Sequence, residues 1–241
     1  MLWTRHGAEP RSWKRDKVAI MALQKYIRLD EELCSYVREH RSDLDDPVWR
    51  DLREETTRLG AVSEMMIPEE ESALLSFLVG ALRVRRAIEI GTFTGASSLA
   101  IARGLGEGGK LLCLDRSEEW TRIARAFWRR AGVEDRIELR LGPALESLAA
   151  LEGGSMFDFA FVDADKTGYD AYYESLLPRM RPGGVLLFDN MLREGRVLRD
   201  DSPDDPDTRA IRHLNDKLRQ DPRIEGLLLP VADGIYLCRK R

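Results

Sequence analysis

The chain has 241 residues, 43% of them hydrophobic and 33% charged, with 38 Lys and Arg against 42 Asp and Glu and a formal net charge of −4. That length holds one large domain or two small ones, and the slightly acidic balance weighs against bulk nucleic-acid binding through a basic face, without excluding a small RNA substrate. Cys34, Cys113 and Cys238 show neither a disulfide framework nor metal spacing, and the longest early apolar run, Val18 to Leu23, is too short for a leader or a membrane span, so a reducing, cytoplasmic setting and no membrane contact are expected.

Residues 1–16 are basic, carry Trp3 and Trp13, and read as an extension ahead of a single domain over 17–241. Residues 17–60 are expected to be helical, with Leu33, Val37 and Leu44 near helical spacing and a second helix opening at Pro47. A third helix starts near Pro68, where Glu69, Glu70 and Glu71 suit a helix amino terminus, and runs to Leu82. From Arg85 the pattern becomes an alternation. Strands are expected at Ala87–Ile90, Leu111–Leu114, Ile137–Leu141, Phe157–Val162 and Val185–Phe188, separated by helices over 97–105, 117–131, 143–151 and 169–180. A last helix over 207–218 precedes two strands joined by Ala232-Asp233-Gly234, a hairpin signal. The fold class is therefore α/β: a seven-stranded, mostly parallel sheet in a three-layer sandwich, closed by an antiparallel hairpin.

Two stretches carry chemistry. Glu89-Ile90-Gly91-Thr92-Phe93-Thr94-Gly95 is a glycine turn between a strand and a helix, followed at the end of the next strand by Asp115, a carboxylate placed to accept ribose hydroxyls. The dinucleotide spacing G-x-G-x-x-G is absent, which counts against a nicotinamide dehydrogenase. Glu89 beside a phosphate would repel it; beside an ammonium it would be attractive, which favours S-adenosylmethionine. The second stretch is Phe161-Val162-Asp163-Ala164-Asp165-Lys166 together with Asp189-Asn190: two buried strands that end in oxygen donors, with no His or Cys beside them in sequence. Such donors suit Mg²⁺, Ca²⁺ or Mn²⁺. The competing expectation is that the carboxylates cap helices or pair with arginines. Asp165 reads as a cap or as support for the site, and Lys166 either as a solvated lysine or as a group that assists deprotonation of a substrate hydroxyl. Trp120 and Trp128 read as packing residues, and the acid run 200–207 as a solvated loop.

These motifs, with the Asp233-Gly234 hairpin, resemble the cation-dependent class I O-methyltransferases of the caffeoyl-CoA and catechol type over roughly residues 30–241. The resemblance implies the class I methyltransferase sheet, S-adenosylmethionine as methyl donor, and a divalent cation on Asp163, Asp189 and Asn190. It implies Lys166 as the catalytic lysine, with Asp163 beside it. Cofactor contacts fall on Met65, Ile67, Glu89, Gly91, Thr92, Ser97 and Asp163, with Asp115 at the ribose and Ala144 at the adenine. The implied acceptor is a small phenolic with vicinal hydroxyls; a hydroxylated tRNA base is the alternative, and a cofactor-binding protein without turnover a second one. A homodimer is also implied. The chain departs from the family pattern at Arg193, where relatives often have tryptophan, and at Ile235-Tyr236, where they often have a small polar residue. An arginine there points to an acceptor with a carboxylate or phosphate, or else to a surface pair with Glu194.

Overall fold

The structure, a computed structural model, describes residues 27, 29–42, 45–151, 157–199 and 205–241. The expectations for residues 1–16, for the helix before residue 27 and for the acid run at 200–204 lie outside the described residues. The chain forms two compact units, 1–44 and 45–241. In the first, α1 (Glu31–Glu39) is capped by Asp30, whose Oδ1 accepts from Leu33 N at 2.9 Å.

The second unit begins with α2 (Pro47–Thr57), where Asp46 caps the amino end through Val48 N and Trp49 N. A 3₁₀ turn (Gly60–Met65) and α3 (Glu69–Ala81) follow, the latter with Glu69, Glu70 and Glu71 in its first turn, where carboxylates complement the helix dipole. The alternation then runs β1 (Arg86–Ile90), α4 (Ala96–Gly104), β2 (Lys110–Asp115), α5 (Glu118–Arg130), β3 (Ile137–Leu141), α6 (Ala144–Ala149), β4 (Phe157–Val162), α7 (Tyr169–Leu176), β5 (Met180–Phe188), α8 (Pro206–Gln220), β6 (Ile224–Leu229) and β7 (Ile235–Lys240). The helix expected over 169–180 stops at Leu176, gives one 3₁₀ turn around Pro178 and yields Met180 to a longer β5; the proline ring cannot continue the helical ladder.

One seven-stranded sheet results, in the order β3-β2-β1-β4-β5-β7-β6. The pairs among β1 to β5 are parallel, and β7 is antiparallel to both β5 and β6. Successive strand residues face opposite sides. Ile88 and Ile90 of β1, Ala160 and Val162 of β4, and Leu186 and Phe188 of β5 belong to one buried layer with Tyr173 and Leu176 of α7 and Ile211 and Leu214 of α8. Ala87, Phe159, Phe161 and Leu187 belong to the other, with Leu52 of α2, Leu75 and Val79 of α3, Leu99 of α4 and Trp128 of α5. A sheet covered on both faces explains why its central strands read as continuous apolar runs.

The register levels the carboxyl ends of the central strands. Ile90 pairs with Leu114 and Val162, and Val162 with Phe188. The ladder continues one residue further: Gly91 N donates to Leu114 O, Asp163 N to Ile90 O and Asp189 N to Val162 O. Gly91, Asp115, Asp163 and Asp189 therefore share one edge of the sheet, where open parallel sheets bind their ligands.

Candidate active site

The glycine turn is shaped by what stands behind it. Gly91 has φ of +90°, and a Cβ there would lie 1.9 Å from Asp163 O, so the end of β1 approaches β4 more closely than any side chain permits. Asp115 holds the turn in place: its Oδ2 accepts from Thr92 N at 2.8 Å and Phe93 N at 2.9 Å, and its Oδ1 from Ser117 N at 2.7 Å. A carboxylate offers about four acceptor positions, so these three bonds leave Asp115 little room to grip two ribose hydroxyls at once. Glu89 lies just behind the turn, fully buried, on the sheet face shared with Phe161 and Cys113. Neither of its carboxylate oxygens has a hydrogen bond of normal geometry among the described residues. Burial pushes its carboxyl up to about 7, although the nearby Ser97, Thr92 and Cys113 groups draw it partly back.

Across the edge, Lys166 Nζ donates to Asp163 Oδ1 and to Tyr169 Oη, both at 2.8 Å. Its side chain is only 11% exposed, so it is an organised member of the edge rather than a solvated lysine. Asp165 does not cap α7 with its side chain; its Oδ1 accepts from Tyr172 Oη at 2.6 Å. Asp189 is buried, Asn190 follows it with a left-handed φ of 57°, and Asn190 N donates to Asp189 Oδ1. Neither Asp163 nor Asp189 is paired with an arginine among the described residues, contrary to the competing expectation.

The residue that sequence reasoning missed is Glu71. It is fully buried in the first turns of α3, and both of its carboxylate oxygens lack partners among the described residues. Burial, then the charges of Asp189 and Asp163, push its carboxyl far above the ordinary range; burial, then Asp163, do the same to Asp189. Three carboxylates thus face one ammonium. Glu71 looked like one of three acids suited to a helix start, and its only signal was being the member of Glu69-Glu70-Glu71 that points inward.

One cavity of about 760 Å³ connects these groups. Its wall includes Met65, Ile67, Gly91, Thr92, Ser97, Asp115, Ala144, Asp163, Lys166, Asp189 and Asn190, together with Glu71 and Arg193. Of the residues expected at the site, only Glu89 is not in the wall; it sits directly behind it. Trp128 is buried and donates from Nε1 to Ser98 Oγ at 3.0 Å, a packing residue as expected. Trp120 instead lines the cavity, edge-on to Phe93 at 5.1 Å between ring centroids. Arg193 does not pair with Glu194: that carboxylate goes to Arg196, and among the described residues the acid nearest Arg193 is Asp207.

A sheet of this strand order, with a glycine turn after β1 and an acid at the end of β2, defines a class I S-adenosylmethionine-dependent methyltransferase. The chain belongs to the O-methyltransferase family, whose model matches residues 38–241. It is 37% identical over 227 residues to a probable caffeoyl-CoA O-methyltransferase 2 of Dictyostelium discoideum, covering 93% of this chain and 98% of that one. It is 43% identical over 185 residues to tricin synthase 2 of Oryza sativa subsp. japonica, covering 73% of this chain and 63% of that one. Among solved structures, an O-methyltransferase from Bacillus cereus in complex with SAH superposes with a TM-score of 0.78 at 33% identity, over 86% of this chain and 96% of that one. The protein is an S-adenosylmethionine-dependent O-methyltransferase. Among the described residues, no helix is long and apolar enough to cross a membrane.

Proposed function

We propose that the protein methylates one hydroxyl of a small aromatic vicinal diol, with a divalent cation held by Asp163, Asp189 and Asn190. The observation that carries this reading is the charge imbalance at the sheet edge. Glu71, Asp163 and Asp189 face the single ammonium of Lys166, and Glu71 has no hydrogen-bond partner among the described residues. A buried carboxylate without a donor either keeps a proton or neutralises a cation. Three acids against one base leave a deficit that one divalent ion closes. Among the described residues no three His, Cys, Asp or Glu side chains form a ready ligand cluster; the donor set is two carboxylates and an amide, all oxygen, which suits Mg²⁺, Mn²⁺ or Ca²⁺ rather than zinc. A bound cation would orient two adjacent hydroxyls and lower their pKa.

The chain's own residues account for the remaining requirements. Glu89 supplies the negative charge for the ammonium of the cofactor, with Gly91, Thr92, Ser97 and Asp163 around its amino-acid end. Met65, Ile67 and Ala144 form apolar wall, Ala144 on the adenine side. Asp115 fixes the glycine turn and keeps a free acceptor position for a ribose hydroxyl. Lys166 Nζ has three N–H donors, and two are committed to Asp163 and Tyr169. The third is free to hold the acceptor oxygen, and the amine form can take up its proton. The relatives' names, a caffeoyl-CoA O-methyltransferase and a tricin synthase, support a phenolic acceptor.

The test is a methyl-transfer screen over catechol, caffeoyl esters and tRNA, with and without chelator. Transfer to the diols that disappears with chelator and returns with Mg²⁺ or Mn²⁺ is expected. Full activity after complete metal removal would refute the cation, and transfer to RNA alone would refute the acceptor.

A further inference from the structure

The loop after β5 is built with unusual constraint. Arg193, Glu194 and Gly195 have φ of 48°, 53° and 79°, three successive left-handed residues. The β6–β7 connection braces them: Met191 N donates to Gly234 O at 2.8 Å, Leu192 N to Asp233 O at 2.9 Å, and Glu194 N to Asp233 Oδ1. Left-handed backbone at an arginine and a glutamate persists only where the surroundings impose it. The result is that the Arg193 side chain lies in the cavity wall, 16% exposed, on the same short loop as Asn190.

Its guanidinium is poorly satisfied there. Nε is shielded from solvent and has no acceptor among the described residues. The nearest carboxylate among the described residues, Asp207 Oδ2, is 3.9 Å from Nη2, too far for a hydrogen bond. Among the described residues, two further acids near this loop are committed elsewhere: Glu194 to Arg196, and Asp205 to Arg196, Thr208 N and Thr208 Oγ1. A shielded N–H without an acceptor is costly to leave unmet, and Arg193 lines the cavity close to Asn190 in sequence.

We propose that Arg193 forms a carboxylate-binding subsite, so that the preferred methyl acceptor is an aromatic vicinal diol whose ring bears a carboxylate; this deepens the diol reading above and rests on it. The planar fork of a guanidinium matches a carboxylate in two parallel hydrogen bonds. The surrounding charge selects a monoanion: Asp207 and Asp233 also line this part of the wall, and they penalise the second charge of a phosphate. On binding, the acceptor carboxylate takes the donors that Asp207 approaches only at long range.

The experiment is calorimetric titration of the full chain, loaded with SAH and Mg²⁺, with catechol, 3,4-dihydroxybenzoate and benzoate. The dihydroxybenzoate is expected to bind at least about tenfold tighter than catechol, as two charge-assisted hydrogen bonds imply. In Arg193→Met that preference shrinks to within about twofold; Arg193→Lys restores part of it, because a point charge lacks the fork. Asp207→Asn, which leaves Arg193 in place and removes its competitor, is expected to increase the preference, and it supplies the answer should Arg193→Met fail to fold. The ratio of kcat/KM for the two diols should move in parallel. Equal binding of catechol and its carboxylate to the unaltered chain, or a preference that survives Arg193→Met, overturns the subsite. Methylation of both diols without preference leaves the diol reading standing and removes only this inference. Arg193-dependent binding of benzoate without methylation of any diol does the reverse.

Discussion

Replacing Glu89 with glutamine keeps the shape of the side chain and removes its charge. The wild-type carboxyl is fully buried and pushed up to about 7 by that burial. In the unfolded chain it titrates near 4.5, the ordinary value. The folded state therefore holds a proton that the unfolded state has released, and between these values stability falls as pH rises. The contribution is fully present below about pH 4.5 and lost above about pH 7. The interval corresponds to about 3 kcal/mol at 1.36 kcal/mol per pH unit. Glutamine does not titrate, so Glu89→Gln and the wild type should be nearly equal in stability at pH 4.5, with the variant ahead by up to ~3 kcal/mol at pH 8. For a chain of this size that gap is about 6–12 °C in melting temperature. Urea titrations of both proteins without cofactor, at pH 4.5 and pH 8, measure it. A gap of the same size at both pH values would refute the burial argument. The functional half is read separately: SAH should bind Glu89→Gln at least about tenfold more weakly at pH 8, because a charged partner of the ammonium is gone. Unchanged SAH affinity would leave the buried acid in place and remove its assigned role.

Lys166→Met should lower kcat on a diol by about 10²- to 10⁴-fold, the usual contribution of a positioned acid or base, while SAH affinity stays within about twofold; a variant that loses SAH binding instead makes Lys166 structural. Mg²⁺ affinity should climb as pH rises through about 8, because burial and the charge of Asp163 hold a proton on Asp189 that the cation must displace; titration calorimetry giving a flat profile from pH 6 to pH 9 would contradict that. Glu71→Gln should stabilise the metal-free protein at pH 8, because buried Glu71 must hold there a proton that the unfolded chain releases, and should weaken the cation, because the acid that could ionise beside it is gone; thermal melts with and without Mg²⁺ separate the two effects. Gly91→Ala should cost at least ~2 kcal/mol and abolish SAH binding, because its Cβ would overlap Asp163 O at a positive φ; near wild-type melting would show that the turn relaxes.

Much of the fold was legible because apolar runs of strand length alternated with helix signals. The caps were legible too: Ser117 accepts from Trp120 N, and Asp46 and Asp30 cap their helices as short polar side chains do. The end of α7 was misjudged because Leu176-Leu177 keep the helical pattern up to Pro178. At the site, Asp163, Asp189 and Asn190 stood out because charges that terminate two buried strands have no packing reason to be there. Glu71 and Trp120 did not, because each lies in the first turn of a helix among acidic residues that suit any helix start, and only the neighbour across the cavity gives it a role. Arg193 was visible as a departure, but its partner was not: Glu194 is adjacent in sequence, whereas the backbone turn sends Glu194 to Arg196 and leaves Arg193 nearest to Asp207.

The sequence by itself determined the alternation of elements, the glycine turn with Asp115 beyond it, and the presence of oxygen donors at the ends of two strands. These follow from local rules, because strand and helix periods, caps and turns are set by residues close along the chain. Only the tertiary structure decided that β7 inserts between β5 and β6, that the carboxyl ends of β1, β2, β4 and β5 fall level, and that Glu71 joins Asp163 and Asp189 against a single lysine. A sequence period states which face of an element is turned inward; what waits on the other side is set by strand register and layer packing, where residues far apart in the chain share one desolvated space.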